Sequence, residues 1–165
     1  MGTKSATAQV LKAAARRKVE LANEPGVMKG RRVGVESAGF VAHRACKRSP
    51  KEVCTHGVSQ EAVLYITGRL STLRGEGAII TLVFDGDRAY EPKGATHAAR
   101  NKTRDDASNV PADQRTGKEW RAMATPQEPL TQAVMAWCVQ NHVQFIVAPY
   151  EADHQLVEAA AGRAH

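Results

Sequence analysis

The stretch Ala78-Ile79-Ile80-Thr81-Leu82-Val83-Phe84-Asp85-Gly86 decides how this sequence folds. An almost unbroken apolar run of this length, rich in β-branched and aromatic residues and closed by an Asp-Gly turn dipeptide, reads as a strand buried on both faces. Such strands pair in parallel and need helices on the sheet, and the flanking sequence offers both. Upstream, Ser59 can cap a helix carrying Val63, Leu64, Ile66, Leu70 and Leu73, which Gly75 and Gly77 stop. Before it, Arg31 to Glu36 reads as a strand with apolar Val33 and Val35, Phe40 to Lys47 as a short helix, and Ser49-Pro50 as the start of a polar stretch. Downstream, Thr125-Pro126-Gln127-Glu128 reads as a capping box with Pro at the first helical position, leading into Leu130, Val134, Trp137 and Cys138 on one stripe. Val143 to Ala148 is a third strand broken by Pro149, and Glu151 to Ala161 a helix. Strand and helix alternate, which predicts an α/β fold: a doubly wound, mainly parallel sheet with flanking helices and right-handed crossovers. Ligands of such sheets bind beyond the carboxyl ends of the strands.

Further out, Ala8 to Ala22 reads as a helix ended by Asn23-Glu24-Pro25-Gly26. Residues 87–124 are polar and basic, without a clean period, and are expected to project from the core. A chain of 165 residues suits one compact domain, since domains cluster near roughly 100 to 150 residues. The longest apolar runs are strand-length, so a soluble protein without a membrane span is expected. Cys46, Cys54 and Cys138 are odd in number and form no CxxC pair, which supports neither a disulfide framework nor a zinc ribbon and fits a reducing compartment.

Charge is uneven. Residues 1–60 hold 12 Lys or Arg against 4 Asp or Glu, while the remainder holds 11 against 13. The basic half is the natural face for a polyanion, where neutralising phosphates releases counterions, although a solvated surface of mixed charge reaches the same pI near 9.5.

Each predicted strand runs into acid: Glu36 after the first, Asp85 after the second, Glu151 and Asp153 after the third. Carboxylates gathered at one sheet edge raise each other's pKa unless cations neutralise them. Mg²⁺ prefers oxygen ligands, and a pair of such ions about 4 Å apart can drive phosphodiester hydrolysis. Each acid alone also has a structural reading, as a turn residue (Asp85), a helix N-terminal residue (Glu151, Asp153) or an exposed strand end (Glu36).

The segment Val147-Ala148-Pro149-Tyr150-Glu151-Ala152-Asp153-His154-Gln155-Leu156 resembles the internal motif of the XPG family of 5′ nucleases, with its Tyr, Asp and Gln-Leu nearest to the 5′ to 3′ exonuclease branch. Leu82-Val83-Phe84-Asp85-Gly86 is similar to that family's strand-end Phe-Asp-Gly, and Met1-Gly2 with Arg32-Val33-Gly34-Val35-Glu36 resembles its amino-terminal motif. On this resemblance residues 1–100 correspond to the amino-terminal region, 101–124 to a variable basic connection and 125–165 to the start of the internal region, all within one PIN-like nuclease domain.

The resemblance implies that Asp85, Glu151 and Asp153 bind Mg²⁺, with Mn²⁺ as an alternative, and that Glu36 stands where the family carries Asp. Lys93 and Arg100 match a Lys and an Arg, seven residues apart on a helix, that stabilise the scissile phosphate. Gly2, His43, Arg44 and Lys47 join them as expected nucleic-acid contacts. Six positions after Glu36, where the family often has a stacking aromatic or His, stands Ala42, followed by His43. The family's second acidic pair follows the internal motif by about twenty residues, past His165, so a two-ion site is expected to be incomplete in this chain.

The implied activity is that of a structure-specific 5′ nuclease or exonuclease of DNA repair, acting on 5′ flaps and on nicked or recessed duplexes in the nucleus. Val10 to Ala22, Ala-rich and basic, also fits a mitochondrial presequence, which leaves the mitochondrion as an alternative. The competing readings are a non-catalytic nucleic-acid-binding pseudoenzyme and a nonfunctional truncated product.

Overall fold

The computed structural model describes residues 26–37, 42–86 and 94–160. The helix expected over Ala8 to Ala22, its Asn23-Glu24-Pro25 end, Phe40, Gly2 and Lys93 lie outside the described residues. In chain order the elements are β1 (Arg32–Glu36), α1 (His43–Cys46), α2 (Pro50–His56), α3 (Gln60–Gly75), β2 (Ile79–Phe84), α4 (Gly94–Ser108), α5 (Gly117–Met123), α6 (Glu128–Gln140), β3 (Gln144–Val147) and α7 (Ala152–Ala160). The strands form one parallel sheet in the order β1-β2-β3, with Val35 opposite Leu82 and Phe84 opposite Val147.

The apolar run Ile79–Phe84 is the central strand. Leu82 and Val83 are both buried although neighbouring strand residues point to opposite faces, so helices cover both sides. One face carries the main core, in which Val35, Ile80, Leu82 and Phe84 pack with Ile66 and Leu70 of α3 and Leu130, Val134 and Cys138 of α6. The other face is smaller: Val83 packs with Ala148, Ala152 and, from α7, the partly buried Leu156. Gly34 makes that packing possible, because a Cβ there would lie 2.4 Å from Leu156 Cδ2. β1 and β3 are the edges of the sheet, and β3 leaves Phe145, Ile146 and Val147 exposed. The buried stripe of α3 is Ala62, Ile66 and Leu70, spaced four apart. Leu64 lies off that stripe and is 61% exposed.

β2 and β3 are each launched by the same helix stop. At the end of α3, Gly77 N–H donates to Arg74 O (2.8 Å) and Ala78 N–H to Leu73 O (3.1 Å), a Schellman motif with Gly77 left-handed at φ +84°. At the end of α6, His142 N–H donates to Val139 O (3.3 Å) and Val143 N–H to Cys138 O (2.9 Å). There the left-handed position is filled by His142, at φ 54°.

Three expectations are corrected. The polar stretch after Ser49 contains α2, with Pro50 in its first turn and Val53 buried. The capping box at Thr125 does not form; α6 starts two residues later than expected, with Gln127 as its N-cap and Pro129 in its first turn. A capping box forms instead at α5, between Thr116 and Glu119. Finally, the described part of the basic stretch, residues 94–124, does not simply project: α4 packs on α5 and α5 on α2. Trp120 is the anchor. It is buried, its carbonyl accepts from Cys54 Sγ (3.7 Å), and the Arg115 guanidinium stacks 5.1 Å over its ring. Arg115 also donates to Val110 O (2.8 Å) and Ser108 O (2.7 Å), closing the α4–α5 turn, so this cation is structural. α4 itself is exposed over residues 98–103 and buries Ala107 near its end. All three cysteines are free thiols, and burial, with Cys54 nearby, pushes Cys46 up to about 11. Among the described residues no helix is long and apolar enough to cross a membrane.

Candidate metal and nucleic-acid site

The carboxyl ends of the strands are tied together by backbone hydrogen bonds. Ala148 N–H donates to Phe84 O (2.9 Å), and Gly86 N–H donates to Tyr150 O (2.5 Å), so the loops leaving β2 and β3 lie against each other. The approach is close enough to exclude a side chain at Gly86, whose Cβ would sit 2.1 Å from Ala148 O. This is the physical reason for glycine after Asp85.

Asp85, exposed at the end of β2, turns one oxygen to the neighbouring loop: Oδ1 accepts from the Ala152 backbone N–H at 2.8 Å. That N–H is in the first turn of α7, where helix amides lack partners and the dipole favours negative charge. Ala152 is buried against Val83, which places its neighbours Glu151 (half-buried) and Asp153 (exposed) at the same helix end. The sequence brings Asp85, Glu151 and Asp153 to one edge by this device.

Glu36 ends β1 and pairs with Val83 across the sheet, so it stands on the face that α7 covers, half-buried. Glu36, Glu151 and Asp153 each take part in interactions within the fold. Among the described residues no three His, Cys, Asp or Glu side chains lie close enough together to enclose a metal ion. The donor chemistry nevertheless suits magnesium, which binds through one or two carboxylates and fills the remaining positions with water and phosphate oxygens rather than demanding a protein cage.

The cations gather around His43. His43, half-buried on α1, is held below its usual titration range by burial first, then by Arg100, Lys47 and Arg104, with Asp85 opposing them. Arg100 is exposed on α4 and Arg104, four residues on, shares its helix face. Arg44 and Lys47 are exposed at the end of α1. Arg104 is the residue that reading the sequence missed, and the available signal was its spacing from Arg100. Beside Asp85, between α1, α3, α4 and α6, a cleft of about 360 Å³ opens, with His43, Asp85 and Arg104 in its wall.

Compared with protein-family models and with curated protein sequences, the chain matches neither, so its resemblance to a family rests on its own residues.

Proposed function

We propose that this chain has the doubly wound, PIN-like nuclease core architecture of the XPG type, nearest to the 5′ to 3′ exonuclease branch, and that it serves metal-dependent hydrolysis of DNA phosphodiesters. The observation that carries this reading is the bond from Ala152 N–H to Asp85 Oδ1, which joins the Phe-Asp-Gly strand end to the Tyr-Glu-Ala-Asp loop. Two segments that resemble separate motifs of one family thus meet at the carboxyl edge of a parallel sheet, where α/β proteins bind ligands.

Asp85, Glu151 and Asp153, with Glu36 at the end of β1, are the residues that would hold Mg²⁺ or Mn²⁺. When bound, such an ion neutralises charge on the phosphodiester and acidifies water. The chain's own contribution is positioning and charge. Arg100 and Arg104 share one face of α4 and carry guanidinium groups, which suit phosphate oxygens, and Lys93 precedes that helix in sequence. Lys47 and Arg44 extend the basic surface along the duplex. His43, kept neutral by burial and then by its cationic neighbours, retains an acceptor nitrogen at neutral pH. The substrate is a 5′ flap or a nicked or recessed duplex, and the setting is DNA repair in the nucleus or mitochondrion.

A second reading, a nucleic-acid-binding module without catalysis, is favoured by Glu36 in place of Asp and by the absence of an enclosed three-acid group among the described residues. Cleavage of a 5′-labelled recessed duplex in Mg²⁺ and in EDTA, alongside binding of the same duplex, separates the two. Cutting that requires Mg²⁺ supports the nuclease; tight, salt-dependent binding with no cutting supports the module.

A further inference from the structure

Among the described residues β3 is an edge of the sheet, and it carries no charged residue. Phe145, Ile146 and Val147 are exposed along it, and Tyr150 is exposed just beyond Pro149. Edge strands are usually guarded by Lys or another charge, because their outward amides and carbonyls can pair with a further strand. Here no Lys or Arg stands between Arg121 and Arg163, in a chain of net charge +6. The chain itself leads away from this edge. Residues 26–31 enter the sheet at β1, the opposite edge, while α7 starts beside Asp85 and lays Leu156 over Gly34 of β1. The basic faces of two copies repel each other, so the uncharged edge is where a second copy meets least resistance.

The backbone fixes how two such edges meet. Ala148 N–H donates to Phe84 O, so the backbones of Ala148 and Ile146 face β2, and those of Phe145 and Val147, by alternation, face outward. Val143 N–H is already taken by Cys138 O (2.9 Å), and Pro149 has no N–H. Antiparallel pairing of Phe145 with Val147 of the second copy exchanges both hydrogen bonds at each pair. Shifting the register sets one of these residues against Val143 or Pro149, which have no amide to return.

We propose that the chain forms a twofold dimer by pairing β3 antiparallel with β3 of a second copy, which joins two three-stranded sheets into one. Ile146 faces its own counterpart across the axis. The carboxyl edges that bear Asp85 then point to opposite ends of the joined sheet, so the two candidate sites stay separate. The dimer does not depend on the nuclease reading.

The test is sedimentation equilibrium of the full chain over a range of concentrations, with amide exchange of Phe145 and Val147 followed alongside. The expected result is a mass that rises from 17.8 kDa toward twice that value, with exchange at both amides slowing as it rises. Ile146→Lys and Ile146→Asp, each shown folded by its melting transition, set like charges opposite each other and are each expected to weaken the dimer at least about tenfold; mixing the two chains sets opposite charges together and is expected to restore it. A chain that stays at 17.8 kDa overturns the proposal, and slow exchange of the two amides in that monomer would assign the edge to another segment of the same chain. Folded single variants that dimerise as tightly as the wild type, or a mixture no tighter than either variant alone, overturn it as well.

Discussion

Asp85 Oδ1 accepts a 2.8 Å hydrogen bond from the backbone N–H of Ala152, 67 residues away in sequence, and so ties the end of the central strand to the first turn of α7. The same carboxylate is a proposed metal ligand. It therefore has a structural role that charge-neutral substitution preserves and truncation removes. Asp85→Asn keeps an oxygen for the Ala152 amide and is expected to unfold within a few tenths of a kcal/mol of the wild type, whereas Asp85→Ala is expected to lose about 1 kcal/mol, as capping residues do. Urea denaturation of both variants checks this. Equal stability of the two would show that the bond contributes nothing.

Gly86 and Gly34 both stand where a Cβ would collide, but with different partners. At Gly86 the obstacle is the backbone of Ala148 and Pro149, which cannot move without parting the β2 and β3 loops; at Gly34 it is the tip of Leu156. Gly86→Ala is expected to cost about 2–3 kcal/mol, the upper range of overpacking, and Gly34→Ala about 1 kcal/mol. Denaturant midpoints of the two variants give the order directly.

His142 occupies a left-handed position that its counterpart before β2 fills with glycine. Left-handed backbone costs a residue with a Cβ about 1–2 kcal/mol, part of which glycine returns as lost chain entropy. His142→Gly is expected to raise stability by about 0.5–1 kcal/mol, while Gly77→Ala, whose Cβ would also come 3.1 Å from Lys29 Cα, is expected to lower it. Thermal melting of both checks the sign.

His43 titrates below its ordinary value of 6.5 because burial and then Arg100, Lys47 and Arg104 disfavour its charged form. The unfolded chain therefore binds a proton before the folded chain does, and stability must fall as pH drops below about 6.5. His43→Gln is expected to flatten that decline below about pH 6.5, relative to wild type. Melting temperatures across this range, in the presence of EDTA, test it. An identical slope in the variant would place the sensitivity elsewhere.

The sheet was legible because Ile79 to Phe84 is too apolar and too β-branched to be anything but a central strand, and because Ser59 caps α3 as the spacing predicts, accepting from the Ala62 N–H at 3.0 Å. Three parallel strands between helices follow from those signals. The region around Trp120 was not legible. Its order depends on one buried indole, a cation stacked over it and contacts with α2, which are tertiary events that no periodicity announces. The starting point of α6 was misread for a related reason: Thr125 and Pro126 have the right chemistry for a cap, yet Thr125 and Pro126 line the cleft instead. Of the site, the acids at the strand ends were visible as a pattern. The bond that unites Asp85 with α7 and the cations assembled around His43 were not, since both depend on distances between segments far apart in the chain.

The most direct test of the account is the rate at which the full chain cuts a 5′-labelled recessed duplex in Mg²⁺, measured beside Asp85→Asn, which is expected to stay folded. The account predicts cutting that EDTA abolishes and that the variant slows by at least about 100-fold, the scale of losing an electrostatic group that acts on the transition state. Wild-type protein that cuts no faster in Mg²⁺ than in EDTA, or no faster than Asp85→Asn, would contradict it.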